Sequence, residues 1–364
     1  MRGGTFAEVR VPLAVRPAGV AIAVFAVLTV FLTTACSVGS RNEIPDRPFM
    51  KGVAFTGYWS TAYQGQAPLL SLDALRTTDA GWISILVTAY QMTIDSTEID
   101  FTGERTPTDE SVGALVNYAR SAGLKVMLKP HVDLEADPEH YRGQIGSNFS
   151  ESGWQAWFAA YEAFIIHYAA LAESLNCEVF CAGCELGGTA GRAGEWRSII
   201  SGIREIYHGK LVYADNLAET NPDAVTWWDE LDYIGQDVYP TLSQEIDPTE
   251  EELRLGWSYL VGRLSYLSER WQLPVILTEI GCRSVLGGAI NPWDWQKTGP
   301  PDMEIQKKYY QAAFQALTGR DWLQGMFWWQ WLPDPDHGGL SDTGYSPHGK
   351  PAEAVLKTWY GREL

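Results

Sequence analysis

Eight short apolar runs recur along this chain, and between them lie longer stretches whose apolar residues return every three or four positions. The runs are KGVAF (Lys51–Phe55), WISILVTAY (Trp82–Tyr90), LKVMLKPHV (Leu124–Val132), EVFCAGCE (Glu178–Glu185), KLVYADN (Lys210–Asn216), LDYIGQDVY (Leu231–Tyr239), PVILTEIG (Pro274–Gly281) and LQGMFWWQW (Leu323–Trp331). Strands this continuously apolar suit a parallel sheet buried on both faces. Helical patterns span 108–123, 154–175, 249–271, 301–317 and 351–360. The first opens at Thr108 or Asp109 and stops at Gly123, and the third has acids in its first turn and arginines towards its end, as the helix dipole favours. Eight strands alternating with helices, with a helix after the eighth, predict an α/β fold: one (β/α)8 TIM barrel. The competing architecture is an open doubly wound sheet. AFTGYWS after the first run is not the Gly-rich phosphate loop such a fold would carry there.

The barrel is expected over 49–364, because what precedes it reads as a targeting segment. Arg2, Arg10 and Arg16 precede an uncharged run from Ala18 to Ala35, followed by Cys36. A basic region, an apolar region and a small residue before the cut describe an export signal over 1–35. LTTAC resembles a bacterial lipobox, although Thr33 stands where leucine is usual. The alternative is an uncleaved anchor, since ~18 uncharged residues just span a bilayer. Residues 36–48, polar and Pro-containing, read as a tether. Either way the barrel is exported, and a membrane is touched only through the lipid or anchor.

Of the formal charge of −18, the leader carries +2 (three arginines against Glu8), leaving −20 for the remainder. An acidic surface argues against nucleic acid and anionic membranes as ligands. The 16 Trp and 17 Tyr are either core residues or flat faces for sugar rings, and their positions decide which.

A barrel of this type places its site at the C-terminal strand ends. Here those ends carry Tyr58 and Trp59, Tyr90, His131 and Asp133, Glu185, Asp215 and Asn216, Asp237 and Tyr239, Glu279, then Trp328, Trp329 and Trp331. Carboxylates, an amide, an imidazole and aromatics, without a cluster of cations for phosphate, suit a neutral polyhydroxylated substrate. Glu185 and Glu279 end strands four and seven, on opposite sides of the mouth, so both can converge on one bond. One would protonate the leaving oxygen while the other attacks the anomeric carbon; carboxyls about 5–5.5 Å apart give retention. For either glutamate alone, a strand-end ion pair is an equal alternative.

KGVAFTGYW, LKPHVD, CAGCELGGT, YIGQDVYP, VILTEIGCRS, GMFWWQW and YSPHGKPAEAVLKTWY together resemble glycoside hydrolase family 113, of the clan A retaining hydrolases, known for endo-β-1,4-mannanases. The resemblance covers nearly everything from Met50 on. It implies Glu185 as acid/base, Glu279 as nucleophile and Tyr239 as the tyrosine that hydrogen-bonds the nucleophile. Trp329 or Trp331 would stack under the sugar, and Trp59, His131, Asn216 and Asp237 join the expected substrate-binding set. Many clan members place asparagine directly before the acid/base, where it contacts the sugar 2-hydroxyl. Cys184 stands there in this chain, so Asn216 or His131 is expected to hold that hydroxyl. The acid/base is expected to have a raised pKa. No metal or other cofactor is expected; the partner is a polysaccharide or oligosaccharide substrate, and the protein is expected to be a monomer. β-Mannan comes first, another β-glycan second, and a non-catalytic glycan-binding barrel third.

Three other features invite different readings. Cys177, Cys181 and Cys184 resemble zinc spacing, but they lie on one strand whose alternation sends Cys181 and Cys184 to opposite faces. Free buried thiols fit better, with a Cys184–Cys282 disulfide conceivable. PDPDHGG (Pro333–Gly339) could bind a cation, but a groove-shaping loop fits it better. Trp293 and Trp295, after strand seven, are either a sugar platform or a packed lid.

Overall fold

The eight apolar runs form eight parallel strands that close into a barrel in sequence order. They are β1 (Met50–Phe55), β2 (Trp82–Gln91), β3 (Lys125–Leu134), β4 (Val179–Cys184), β5 (Lys210–Asn216), β6 (Tyr233–Val238), β7 (Val275–Ile280) and β8 (Leu323–Trp331). The computed structural model describes residues 48–216, 221 and 223–364. The leader, Cys36 and the tether up to residue 47 lie outside the described residues. Around the barrel run α1 (Gln66–Arg76), α2 (Asp109–Ser121), α3 (Glu151–Ser174), α4 (Ala193–Ile206), α5 (Glu250–Gly256), α6 (Ser258–Trp271), α7 (Met303–Leu317) and α8 (Pro351–Tyr360). Among the described residues, no helix is long and apolar enough to cross a membrane.

Strand alternation sorts each run into two cores. Met50, Met127, Val179, Val212, Ile276 and Phe327 fill the barrel interior, while Phe180, Leu211, Tyr213 and Leu277 pack outward under the helices. Phe327 lies over Gly52, where a Cβ would stand 2.3 Å from the ring. Most of the large aromatics belong to the outer core. Trp157, Trp196, Trp227, Trp228, Trp257, Trp328 and Trp331 are all fully buried.

The helix expected over 249–271 is two helices. Gly256 ends α5 with its Cα against Leu242, whose carbonyl oxygen would sit 2.3 Å from any Cβ there. Trp257, between the two, is completely buried. Thr108 caps α2 by accepting from the Ser111 amide, and Thr249 forms a capping box with Glu252 at α5.

Four strand pairings break register, three of them where the site begins. The β4–β5 pairing shifts between Cys181 and Cys184, and the β7–β8 pairing shifts between Leu277 and Ile280. The first shift corrects the expectation that Cys181 and Cys184 face opposite sides. The irregularity turns Cys184 inward, and both thiols join the interior cluster. Cys177, Cys181, Cys184 and Cys282 are all free and buried, so no Cys184–Cys282 disulfide exists.

Candidate active site

The inward residues of β3 form a ladder of increasing polarity. Met127 packs in the interior, Lys129 lies above it, and His131 and Asp133 follow towards the mouth, each two positions on. Lys129 is fully buried, a position a lysine holds only when its charge is paired. Its Nζ donates to Asp237 Oδ1 and Oδ2 at 3.0 and 3.1 Å and to Glu279 Oε1 at 2.6 Å. Burial by itself would discharge this amine. The carboxylates of Asp237 and Glu279 outweigh it and hold the ammonium well above the usual lysine range.

Glu279 is thereby held on both oxygens, because Tyr239 donates its hydroxyl to Oε2 at 2.7 Å. Burial and then the Asp237 charge push the Glu279 carboxyl up, while Lys129 and Tyr239 pull it back. Asp237 also accepts from Thr278 Oγ1 at 2.6 Å and from Cys184 Sγ at 3.2 Å. Burial keeps the Cys184 thiol well above its ordinary pKa, so it is a neutral donor.

Glu185 follows β4 in the left-handed backbone region, φ 54°, which is uncommon for a residue with a Cβ. Its amide is tied to the Ala214 carbonyl at 2.8 Å. The side chain is 15% exposed, against 7% for Glu279, so it is the more open of the two carboxyls. Burial raises its pKa to about 8. Arg142 opposes that rise, and the charges of Asp237 and Glu279 add to it. Arg142, in the short 3-10 turn Arg142–Gln144, donates Nη1 to Glu185 Oε2 at 3.0 Å and pairs through Nη2 with Asp133 Oδ2 at 3.3 Å.

Both glutamates converge on one point. Donor atoms of His131, Cys184 and Glu279 lie within 4.8 Å of one another, as do those of Cys184, Glu185 and Asp237, so each carboxyl approaches the same sulfur. These groups have the residue types of a metal site. The charge such an ion would neutralise is already met by Lys129, and the thiol is protonated. The donor set fits a hydrogen-bonded carboxylate pair better than a metal cage.

The other expected substrate residues divide. His131 is buried, with Nε2 3.7 Å from Glu279 Oε1. Burial and then Lys129 and Arg142 hold its imidazole neutral. Asn216 ends β5 half-buried. Trp59 stands 49% exposed after β1. Trp329 is half-buried and adjoins Tyr239: a Cβ at Gly281 would meet Trp329 Cβ and Tyr239 Cε1, each at 3.4 Å.

Two expectations need correction. Trp331 is fully buried, donating Nε1 to Ser71 Oγ at 2.9 Å, so it offers no face to a sugar. Asp237 is also wholly enclosed by Lys129, Thr278 and Cys184, and it supports the site from beneath. In PDPDHGG, His337 lies 3.8 Å from Asp342, which Lys350 already neutralises at 2.7 Å.

Sequence reasoning missed Lys129 and Arg142. A charged residue inside an otherwise apolar strand was a usable signal for Lys129, since it demands a buried partner. Nothing in the sequence singles out Arg142, which a loop turn brings back to β4.

The family described as Glycoside Hydrolase Family 113 matches residues 53–350. Among solved structures, a "GH113 beta-1,4-mannanase" is 30% identical with a TM-score of 0.77, covering 86% of this chain and 99% of that one. The GH113 β-mannanase AaManA from Alicyclobacillus acidocaldarius, in complex with ManMIm, is 27% identical with a TM-score of 0.76, covering 87% and 98%. A β-glucuronidase from Ruminococcus gnavus, at 12% identity, TM-score 0.57 and coverages of 86% and 50%, shares the fold alone. No curated protein sequence matches this chain.

Proposed function

Because the chain belongs to glycoside hydrolase family 113, we propose that it is a retaining hydrolase of β-1,4-linked mannan or manno-oligosaccharides, with Glu279 as nucleophile and Glu185 as acid/base. One observation carries the division of roles. Glu279 has both oxygens tied by a buried ammonium and a phenol, an environment made for an anion. Glu185, beside the same thiol, is raised to about 8 and so keeps a proton at neutral pH.

In the first step Glu279 attacks the anomeric carbon as the glycosidic bond breaks, and the proton of Glu185 passes to the departing oxygen. In the second, Glu185 takes a proton from water, whose oxygen displaces Glu279 and restores both groups. As charge leaves the Glu279 oxygens, Tyr239 and Lys129 stay in place, and Lys129 keeps Asp237 as its counter-ion. The Cys184 thiol is spent on Asp237, so the sugar 2-hydroxyl falls to His131 or Asn216. The mannanase relatives support mannan as substrate.

Hydrolysis of a panel of β-mannan, β-glucan and xylan, with the anomeric product followed by NMR, tests this reading. The β-anomer appears first from mannan if it is right. Cleavage of glucan in preference to mannan replaces the substrate, and an α-anomer sinks the mechanism. The barrel also acts outside the cytoplasm in this reading, on the strength of the arginine-led apolar leader. N-terminal analysis of the mature protein, seeking lipid on Cys36, checks that.

A further inference from the structure

The connection from β7 to α7 carries two indoles that the fold leaves in water. Trp293 is 57% and Trp295 71% exposed, whereas seven of the other fourteen tryptophans are fully buried. Large apolar faces at a loop tip usually fold inward, unless the backbone beneath them is held and the faces are kept for a partner.

Here the backbone is held. Arg283 donates Nη1 to the Trp295 carbonyl and Nε to the Thr343 carbonyl. Lys297 ties the Gly287 and Ile290 carbonyls together. Tyr345 donates its hydroxyl to the Pro292 carbonyl at 2.7 Å. The same Tyr345 ring packs edge-on against Tyr239, centroids 6.1 Å apart, and Tyr239 bonds the Glu279 carboxylate. The loop is thus anchored to the residue that holds the nucleophile, and it rises from the mouth end of β7.

We propose that Trp293 and Trp295 form a glycan-binding platform, a subsite for neutral sugar units of the same chain beyond the bond being cleaved. The apolar C–H face of a sugar ring packs on a flat indole and removes both from water. The anchored backbone means little ordering is left to do on binding, which favours affinity. The acidic surface charge disfavours an anionic partner, such as a phospholipid surface. The inference rests on the hydrolase reading for its ligand, a β-linked neutral glycan.

The experiment compares wild type with the double variant Trp293→Ala/Trp295→Ala on manno-oligosaccharides of increasing length and on an aryl β-mannoside. We expect kcat/KM on the longest substrates to fall about tenfold, through KM, with the aryl mannoside changed less than twofold. A Trp293→Tyr/Trp295→Tyr variant restores most of the loss. An unchanged dependence on chain length overturns the platform. So does lost vesicle binding (phosphatidylcholine with phosphatidylglycerol) alongside unchanged chain-length dependence. Calorimetric binding of a long oligosaccharide to Glu279→Gln, with and without the Trp substitutions, separates the two readings. If wild type cleaves no glycan but the Trp variant still loses affinity, the hydrolase reading fails and the platform stands. If the double alanine variant does not fold, the single substitutions carry the same comparison.

Discussion

At the scale of single residues, the site is a matter of where charge is tolerated. Lys129 is the cation that the enclosed carboxylates of Asp237 and Glu279 share, and removing it leaves both without a counter-charge. Lys129→Met should therefore destabilise the fold by about 3–5 kcal/mol, measured by denaturant unfolding. It should also raise the pH at which Glu279 ionises, so that, with Glu279 as the proposed nucleophile, the acidic limb of kcat/KM moves upward. An unmoved limb would show that Lys129 does not set the state of Glu279. In the proposed mechanism the basic limb belongs to Glu185, whose proton is needed for the first step. Activity should fall as pH rises through about 8. Arg142 favours the Glu185 anion, so Arg142→Ala should displace that limb to higher pH, and Arg142→Lys should restore part of the difference. Glu185→Gln should lower kcat on mannan by about 10²–10⁴-fold, with a smaller loss on aryl mannosides whose leaving group needs no proton. Of these residues Glu185, Glu279 and Tyr239 were legible as strand-end positions within recognisable motifs. Lys129 left a signal, a charge inside an apolar strand, but not the identity of its partners, and Arg142 left none.

At the scale of elements, irregularity in the strands is what aims the side chains. Ideal alternation along β4 would turn Cys184 outward, and a shift of register brings it in and leaves Glu185 in a left-handed turn at the mouth. The strands could be read from apolar runs to within a few residues. The shifts could not, because they depend on how neighbouring strands pair. Close backbone approach is equally specific. A Cβ at Gly235 on β6 would lie 2.3 Å from the Tyr213 carbonyl and 2.6 Å from Val212. Gly235→Ala should cost about 1–3 kcal/mol and lower the thermal midpoint. A variant as stable as wild type would mean that β5 and β6 can separate without loss.

At the scale of the molecule, closure of the barrel ties its first and last elements together. The Tyr360 hydroxyl on α8 donates to the Gly52 and Met326 carbonyls at 2.9 and 3.0 Å, and Lys51 Nζ reaches the Tyr360 carbonyl at 2.6 Å. Removing α8 should abolish cooperative melting by circular dichroism, since β1 and β8 then lose what seals them. Stability should also follow Glu185. Its folded pKa is raised, so its contribution is full below the unfolded value near 4.5 and is lost as pH rises towards 8. Glu185→Gln should flatten the melting temperature between those limits, and an unchanged slope would assign the dependence elsewhere. The sequence by itself determined the barrel and its strand order, and it placed Glu185 and Glu279 at strand ends. Local apolar periodicity and strand-end position carry that information along the chain. Only the tertiary structure decided that Trp331 packs in the outer core and Asp237 lies beneath the site, that Lys129 and Arg142 set its charges, and that Trp293 and Trp295 face water. Burial, pairing and register are properties of residues brought together from different strands, and no local pattern encodes them.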